Sequence, residues 1–400
     1  MTDERPLIIC CSTQYWEETW FRKQHFMAHL APRRDIVYVE PSHSILRPKP
    51  STTPTELRNP LLAPRLRSVR DGLRIWTPPR GLPFWTHAPI SRAQYRLWGG
   101  ALARTAARLG HRRTWLWLYQ PLWAQAIETL RPERVIFDLV DDLSAYEAQA
   151  HSQATMARSI EIALAASNLV LTTSDPLAAQ VRRRRPEVRV EVVGNGVRET
   201  WLDDRELPVP PELAGLPRPW LGFVGAVFTY LDYEVLDATA RAFPGGSLIL
   251  VGPIHAPAAA DALRRHANVH LLGARPQAEI PRYLRAFDLC LSPFKVGAVR
   301  RAVNPLKVYE YLGAGRPVVS TPLESLLETP VGRMIRFAEG PERFVAAVRE
   351  TLAEEADLVA RGEAKAIAAR RRDAVRPHTW EALAGRVEAI LDEMEQTWRG

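Results

Sequence analysis

The chain has 400 residues, of which 46% are hydrophobic and 24% charged. That composition excludes a disordered chain and is too long for one ordinary core, so two domains are expected. A formal net charge of +8, mostly arginine, points to an anionic partner: a phosphorylated small molecule or an acidic membrane surface. Nucleic acid is not expected, because neither an aromatic-and-basic RNA-binding signature nor a zinc-finger spacing is present.

The first residues, Met1 to Pro6, carry no basic region followed by an apolar stretch, so no signal peptide is expected. The best apolar run, Ile160 to Leu171, is broken by Glu161, Ser167 and Asn168 and is too short to span a bilayer. Cys10, Cys11 and Cys290 are too few and too strand-embedded for a disulfide framework or a zinc site. The reducing cytoplasm is the expected compartment. The run Arg182 to Arg185, before Pro186, reads as a solvated helix end or as a peripheral contact with the inner face of an anionic membrane.

Short apolar, β-branched runs recur along the chain: Leu7–Cys11, Ile36–Val39, Leu73–Trp76, Trp115–Tyr119, Val135–Val140, Leu169–Thr173 and Val190–Val193. After a proline-rich, acidic linker (Asp203 to Pro219) they resume at Leu221–Val227, Leu248–Val251, Val269–Leu272, Leu289–Ser292 and Val318–Ser320. Such runs suit strands buried on both faces, and their alternation with helix-like stretches predicts two α/β doubly wound parallel sheets. The expected division is 1–205, 206–375 and a C-terminal segment, 376–400. That last segment is a helix with Thr379 as cap and Trp380, Leu383, Val387, Leu391 and Met394 at helical spacing. Its order in the chain suggests a return to the first domain. Pro41 to Pro89 reads as one long proline-rich excursion, of the kind that forms binding loops.

Ser292 to Thr321 carries the chemistry. A strand end leads through a polar loop to Asn304, a good N-cap, with Pro305 at the first helical position; Gly313 and Gly315 end the helix before the next strand. At about 100° per residue, Asn304, Lys307 and Glu310 share one polar arc. Lys307 near a positive helix N-terminus costs local stability unless an anion docks there. Lys295, Arg300 and Arg301 on the preceding loop add to that charge. A diphosphate fits the basic groups, and a carboxylate one turn deeper, Glu310, can accept two vicinal ribose hydroxyls. A sugar nucleotide has that sequence of groups. An i,i+3 Lys–Glu pair alone is worth only a few tenths of a kcal/mol, so the flanking basic residues carry the reading.

Ser292-Pro-Phe-Lys295, Val303-Asn-Pro-Leu-Lys-Val-Tyr-Glu-Tyr-Leu312 and Gly313-Ala-Gly-Arg-Pro-Val-Val-Ser320 resemble the donor-site segment of GT-B-fold glycosyltransferases of the group 1, family 4-like kind. They are most similar to bacterial enzymes of exopolysaccharide and teichuronic-acid-type pathways. Ile136-Phe-Asp-Leu-Val-Asp-Asp142, Ser167-Asn-Leu-Val-Leu-Thr-Thr-Ser-Asp175, Val193-Gly-Asn-Gly-Val197, Gly222-Phe-Val-Gly225 and Leu250-Val-Gly252 extend the resemblance through most of the chain.

The resemblance implies a GT-B architecture: two Rossmann-like domains facing a central cleft, the first binding the acceptor and the second the donor. It implies transfer from a UDP-, GDP- or dTDP-sugar to a hydroxyl of a glycan or lipid-linked glycan, with retention of configuration, no metal and no tightly bound cofactor. Glu310 would then bind the ribose, Lys307 and Lys295 the diphosphate, with Arg300 and Arg301 beside them. Asn304 would lie near the phosphates or sugar, Gly225 would let backbone approach the donor, and Arg275 would flank the base. The sequence departs from the family pattern at Ala302, where a first glutamate is usual, and at Ala226 and Val227, where an arginine and nearby lysine are common. A sugar-nucleotide epimerase or hydrolase, or a silent subunit of a polysaccharide-assembly complex, are the alternative functions.

On the first domain, Trp16, Trp20, Arg22 and Tyr119 follow strand ends and are candidates to bind an acceptor. Asp141 and Asp142 are candidates to orient or deprotonate its hydroxyl, with Lys307 stabilising the leaving diphosphate.

Overall fold

The protein is described here by a computed structural model, covering residues 5–42, 59–83, 87–140, 153–295 and 306–397. It divides into two compact units: Met1–Val193 together with Val387–Gly400, and Gly194–Arg386. The linker after Val193 therefore packs with the second unit.

The first unit holds an eight-stranded sheet: β1 (Leu7–Cys11), β2 (Ile36–Val39), β3 (Arg65–Arg70), β4 (Leu73–Thr77), β5 (Thr114–Leu118), β6 (Arg134–Leu139), β7 (Leu169–Thr172) and β8 (Arg189–Val192), in spatial order β3-β4-β2-β1-β5-β6-β7-β8. β1 is buried at every position. It runs parallel to its neighbours on both sides, Ile9 lying opposite Val37 and Leu116, as expected of a strand covered on both faces. β3 is antiparallel to β4 and forms the edge. Sequence reading placed residues 65–77 largely inside one long excursion. A hairpin turning at Gly72 (φ +72°) stands there instead, followed by a 21-residue helix, Ala88–Arg108. A Cβ on Gly72 would lie 2.1 Å from the Ala31 carbonyl oxygen, so the turn needs glycine for room as well as for backbone angle.

The last helix, Trp380–Gln396, is capped by Thr379, whose hydroxyl accepts from the Ala382 N–H at 3.2 Å. Its later turns belong to the first unit. There Arg34, fully buried, ion-pairs with Glu388 (2.9 Å), Glu395 (3.1 Å) and Asp392.

The second unit holds six parallel strands: β9 (Trp220–Val224), β10 (Ser247–Val251), β11 (Val269–Gly273), β12 (Leu289–Ser292), β13 (Val318–Ser320) and β14 (Ile335–Phe337). Their order is β11-β10-β9-β12-β13-β14. The strand sequence reverses direction between β9 and β12, which opens a crevice at their C-terminal ends where α/β sheets of this order bind ligands. Apolar clusters fill both faces, one around Phe287, Val308 and Leu312, the other around Phe223, Leu236 and Phe344.

Candidate functional site

β9 ends at Val224, and Gly225 begins the turn beyond it. The Gly225 N–H donates to the Val251 carbonyl (2.9 Å) and the Gly252 N–H to that of Gly273 (2.9 Å), so the ends of β9, β10 and β11 are tied together. A Cβ on Gly252 would fall 1.9 Å from the Gly225 oxygen. Glycine at 252 is therefore required by the approach of two backbones. A Cβ on Gly225 would stand 3.6 Å from the Lys307 Cε, which places the lysine stem directly over this turn.

Lys307 and Glu310 lie on the helix Leu306–Gly313. Its apolar residues Val308 and Leu312 are buried, and its end is closed by Gly315 at φ +78°. There the Arg316 N–H reaches back to the Tyr311 carbonyl and the Gly315 N–H to that of Leu312, the double bond of a glycine C-cap. Lys307 Nζ donates to Glu310 Oε2 at 2.8 Å. The Glu310 side chain is 4% exposed and the lysine 31%, so the carboxylate sits beneath the ammonium. A buried carboxylate is costly without a polar partner, and Lys307 supplies one.

Two hydroxyls brace the strand exits. The Tyr311 hydroxyl accepts from the Val224 N–H (2.9 Å) and donates to the Val224 carbonyl (3.1 Å); burial pushes its phenol well above the ordinary tyrosine value. The Thr321 hydroxyl accepts from the Phe294 N–H (2.9 Å) and donates to the Phe294 carbonyl (2.8 Å), just beyond β12. Across the crevice the segments after β9 and β12 meet: the Lys295 N–H donates to the Tyr230 carbonyl (2.9 Å), and the Tyr230 and Phe294 rings stack at 5.6 Å. Lys295 is exposed at this mouth. Sequence reading missed the Tyr230–Phe294 platform. The two rings are 64 positions apart, and only the pairing of the strand exits joins them.

Arg275 follows β11, where its Nε donates to the Tyr283 hydroxyl (2.9 Å) and its guanidinium pairs with Glu212 at 3.1 Å. Glu212 is held below the usual carboxylate range, chiefly by the Tyr283 hydroxyl and also by Arg275. Asn304, Arg300, Arg301, Asp141 and Asp142 lie outside the described residues.

On the first unit the structure sorts the candidates differently from the sequence. Arg22 is a core residue: its Nε donates to both oxygens of Asp138 (2.9 and 3.1 Å) and its Nη1 to the Val193 carbonyl (2.7 Å). With 2% exposure it braces β6 and does not face an acceptor. Tyr119 and Trp16 are likewise buried, Tyr119 stacked on Trp117 and Trp16 edge-on to Tyr38. Trp20 is half-buried and packs on Trp16 at 5.0 Å. Among the described residues no group of three or more potential metal ligands gathers, and no helix is long and apolar enough to cross a membrane.

Two doubly wound parallel units, the second with a glycine-turned strand end against a Lys–Glu helix, define a GT-B fold. Solved structures of the same fold cover nearly the whole chain at low identity. One is a sucrose-phosphate synthase from Thermosynechococcus elongatus (TM-score 0.67, 16% identical, 98% of this chain and 100% of that one). Another is an Escherichia coli trehalose-6-phosphate protein bound with UDP-2-fluoro glucose (0.66, 12%, 98% and 99%). A third is Anabaena HepE in complex with UDP (0.62, 16%, 97% and 100%). Residues 218–354 match the family model described as glycosyl transferases group 1. A Bacillus subtilis (strain 168) protein, TuaH, named as a teichuronic acid biosynthesis glycosyltransferase, is 29% identical over 221 residues. The aligned region spans 54% of each protein, about half the length of that curated relative.

Proposed function

We propose that the protein transfers a sugar from a nucleotide-diphosphate sugar to a hydroxyl of a glycan or lipid-linked glycan. The observation that carries this reading is the Lys307–Glu310 pair, set over Gly225 at the reversal point of the second sheet. Donor binding draws the Lys307 ammonium from the carboxylate to the diphosphate, and Glu310, left without that partner, accepts the ribose hydroxyls instead. Both groups exchange one charge-assisted hydrogen bond for another, so neither is stranded. Lys295 at the crevice mouth adds positive charge for the diphosphate as it leaves, and Arg300, Arg301 and Asn304 complete the phosphate side. The Tyr230–Phe294 platform and Arg275 flank the donor. Trp20 offers an aromatic face to the acceptor, with Asp141 and Asp142 orienting its hydroxyl.

The reaction rests on positioning and on charge stabilisation of the departing diphosphate, with the retention and metal independence that the family resemblance implies. UDP is the first nucleotide to test, since two of the similar structures carry it; GDP and dTDP follow. Work at the inner face of an anionic membrane, with Arg182–Arg185 as the contact, completes the reading.

The test is a thermal-shift screen of UDP-, GDP- and dTDP-sugars on the wild type and on Glu310→Ala. One nucleotide should raise the wild-type Tm, and the variant should lose most of that shift. An equal shift in both proteins, or none with any nucleotide, would sink it.

A further inference from the structure

The second unit also has a cavity at the other end of its sheet, where β12 and β13 begin. Its volume is about 1210 Å³, roomy against the roughly 300–1,000 Å³ usual for small-molecule sites. Two helices build it. Pro341–Ala360 contributes Ala353, Ala356 and Val359, one apolar face at helical spacing, with Val359 65% exposed. Ala364–Val375 contributes Lys365 and Arg372 on one face, seven positions apart. Arg316, just before β13, also lines it.

The charges there are uneven. Asp203, Asp288 and Glu355 line the cavity, but each already pairs with an arginine: Arg285, Arg218 and Arg371 respectively. Asp204 and Glu206 are exposed. Arg316, Arg372 and Lys365 have no carboxylate partner among the described residues. Arg316 is the telling case. It gives one hydrogen bond, to the Arg285 carbonyl, while its Nε is buried with no partner. Burial lowers its pKa, only partly offset by Cys290 and Asp288, while Arg218 and Arg371 push it lower still. A half-buried guanidinium with an unpaired buried Nε is costly, and an anion placed beside it offsets that cost. The apolar wall excludes a small hydrated ion as the best occupant.

We propose that this cavity binds a phosphate-bearing amphiphile, its phosphate between Arg316, Arg372 and Lys365 and its apolar part along Ala353, Ala356 and Val359. The site stands at the N-terminal strand ends, while Lys307 and Gly225 stand at the C-terminal ends, so its ligand does not compete with a nucleotide. It is independent of the donor reading.

The probe is dodecyl phosphate, titrated calorimetrically below its micellar concentration, with dodecyl maltoside and inorganic phosphate as comparisons. Dodecyl phosphate should bind the wild type. Arg372→Gln, a half-buried change on a helix flank, should weaken it about tenfold or more. Ala356→Glu, which leaves all three cations in place, should do the same, and circular dichroism checks both folds. Excess UDP should not displace the probe. Equal binding of dodecyl maltoside, unchanged affinity in Arg372→Gln, displacement by UDP, or inorganic phosphate binding as tightly as the amphiphile would each overturn the proposal.

Discussion

The Tyr311 hydroxyl holds both the N–H and the carbonyl of Val224, at 2.9 and 3.1 Å, and so fastens the helix Leu306–Gly313 to the last residue of β9. Val224 immediately precedes Gly225, and Lys307 and Glu310 lie on that helix. One phenol thus sets the distance between the turn and the charged pair.

Tyr311→Phe removes that brace and leaves the ends of β9 without two hydrogen bonds. The expected cost is about 1–3 kcal/mol, read as a lower midpoint in urea unfolding. Nucleotide-induced thermal stabilisation should fall with it, since the turn is no longer held. A variant with wild-type stability and wild-type nucleotide response would show that the brace is idle.

Gly252→Ala puts a methyl 1.9 Å from the Gly225 oxygen. Relief requires the Gly225 turn to move, at an overpacking cost of about 1–3 kcal/mol or more. Nucleotide binding should suffer more than in Gly245→Ala, where an added Cβ meets nothing within 4 Å. Equal binding by the two alanine variants would contradict the close-approach account.

Arg34→Met strips three carboxylates of their shared cation within the first unit. Breaking such a buried group costs about 3–5 kcal/mol. Limited proteolysis should then cut within residues 387–397 well before the wild type is cut. Unchanged protection of that segment would mean apolar packing alone retains it.

Glu212 supplies a pH test. Its carboxyl is held below the ordinary value of 4.5 by the Tyr283 hydroxyl and Arg275. Because the folded value is depressed, its stabilising contribution is complete above about pH 4.5 and lost as pH falls through the lowered folded value. Glu212→Gln should therefore flatten that part of the acid limb in melting curves taken between about pH 3 and 6. Identical acid limbs would assign the stability loss to other carboxylates.

Much of this architecture was readable in the sequence because buried parallel strands write themselves as short continuous apolar runs. β1, β2 and β12 begin and end where those runs do. The glycine-terminated helix with Lys307 and Glu310 was readable too, since its glycine C-cap and residue spacing are local. β3 was not. Arg65-Leu-Arg-Ser-Val-Arg70 is an exposed edge strand whose pattern carries no buried face. Arg22 misled because its partner, Asp138, lies 116 positions away, and a buried ion pair looks in sequence like any solvated arginine. The Tyr311–Val224 brace and the Arg275–Glu212 pair hid for the same reason: each depends on a meeting that only the folded sheet arranges.

The polypeptide passes between the two units twice, after Val193 and again within the helix Trp380–Gln396. Halving the gene at the first passage would strand Arg34 without Glu388, Asp392 and Glu395. An N-terminal fragment should therefore recover only when residues 387–400 are supplied, as a fused or added peptide. For anyone grafting donor halves among such proteins, the exchangeable module is an insert with two splice points.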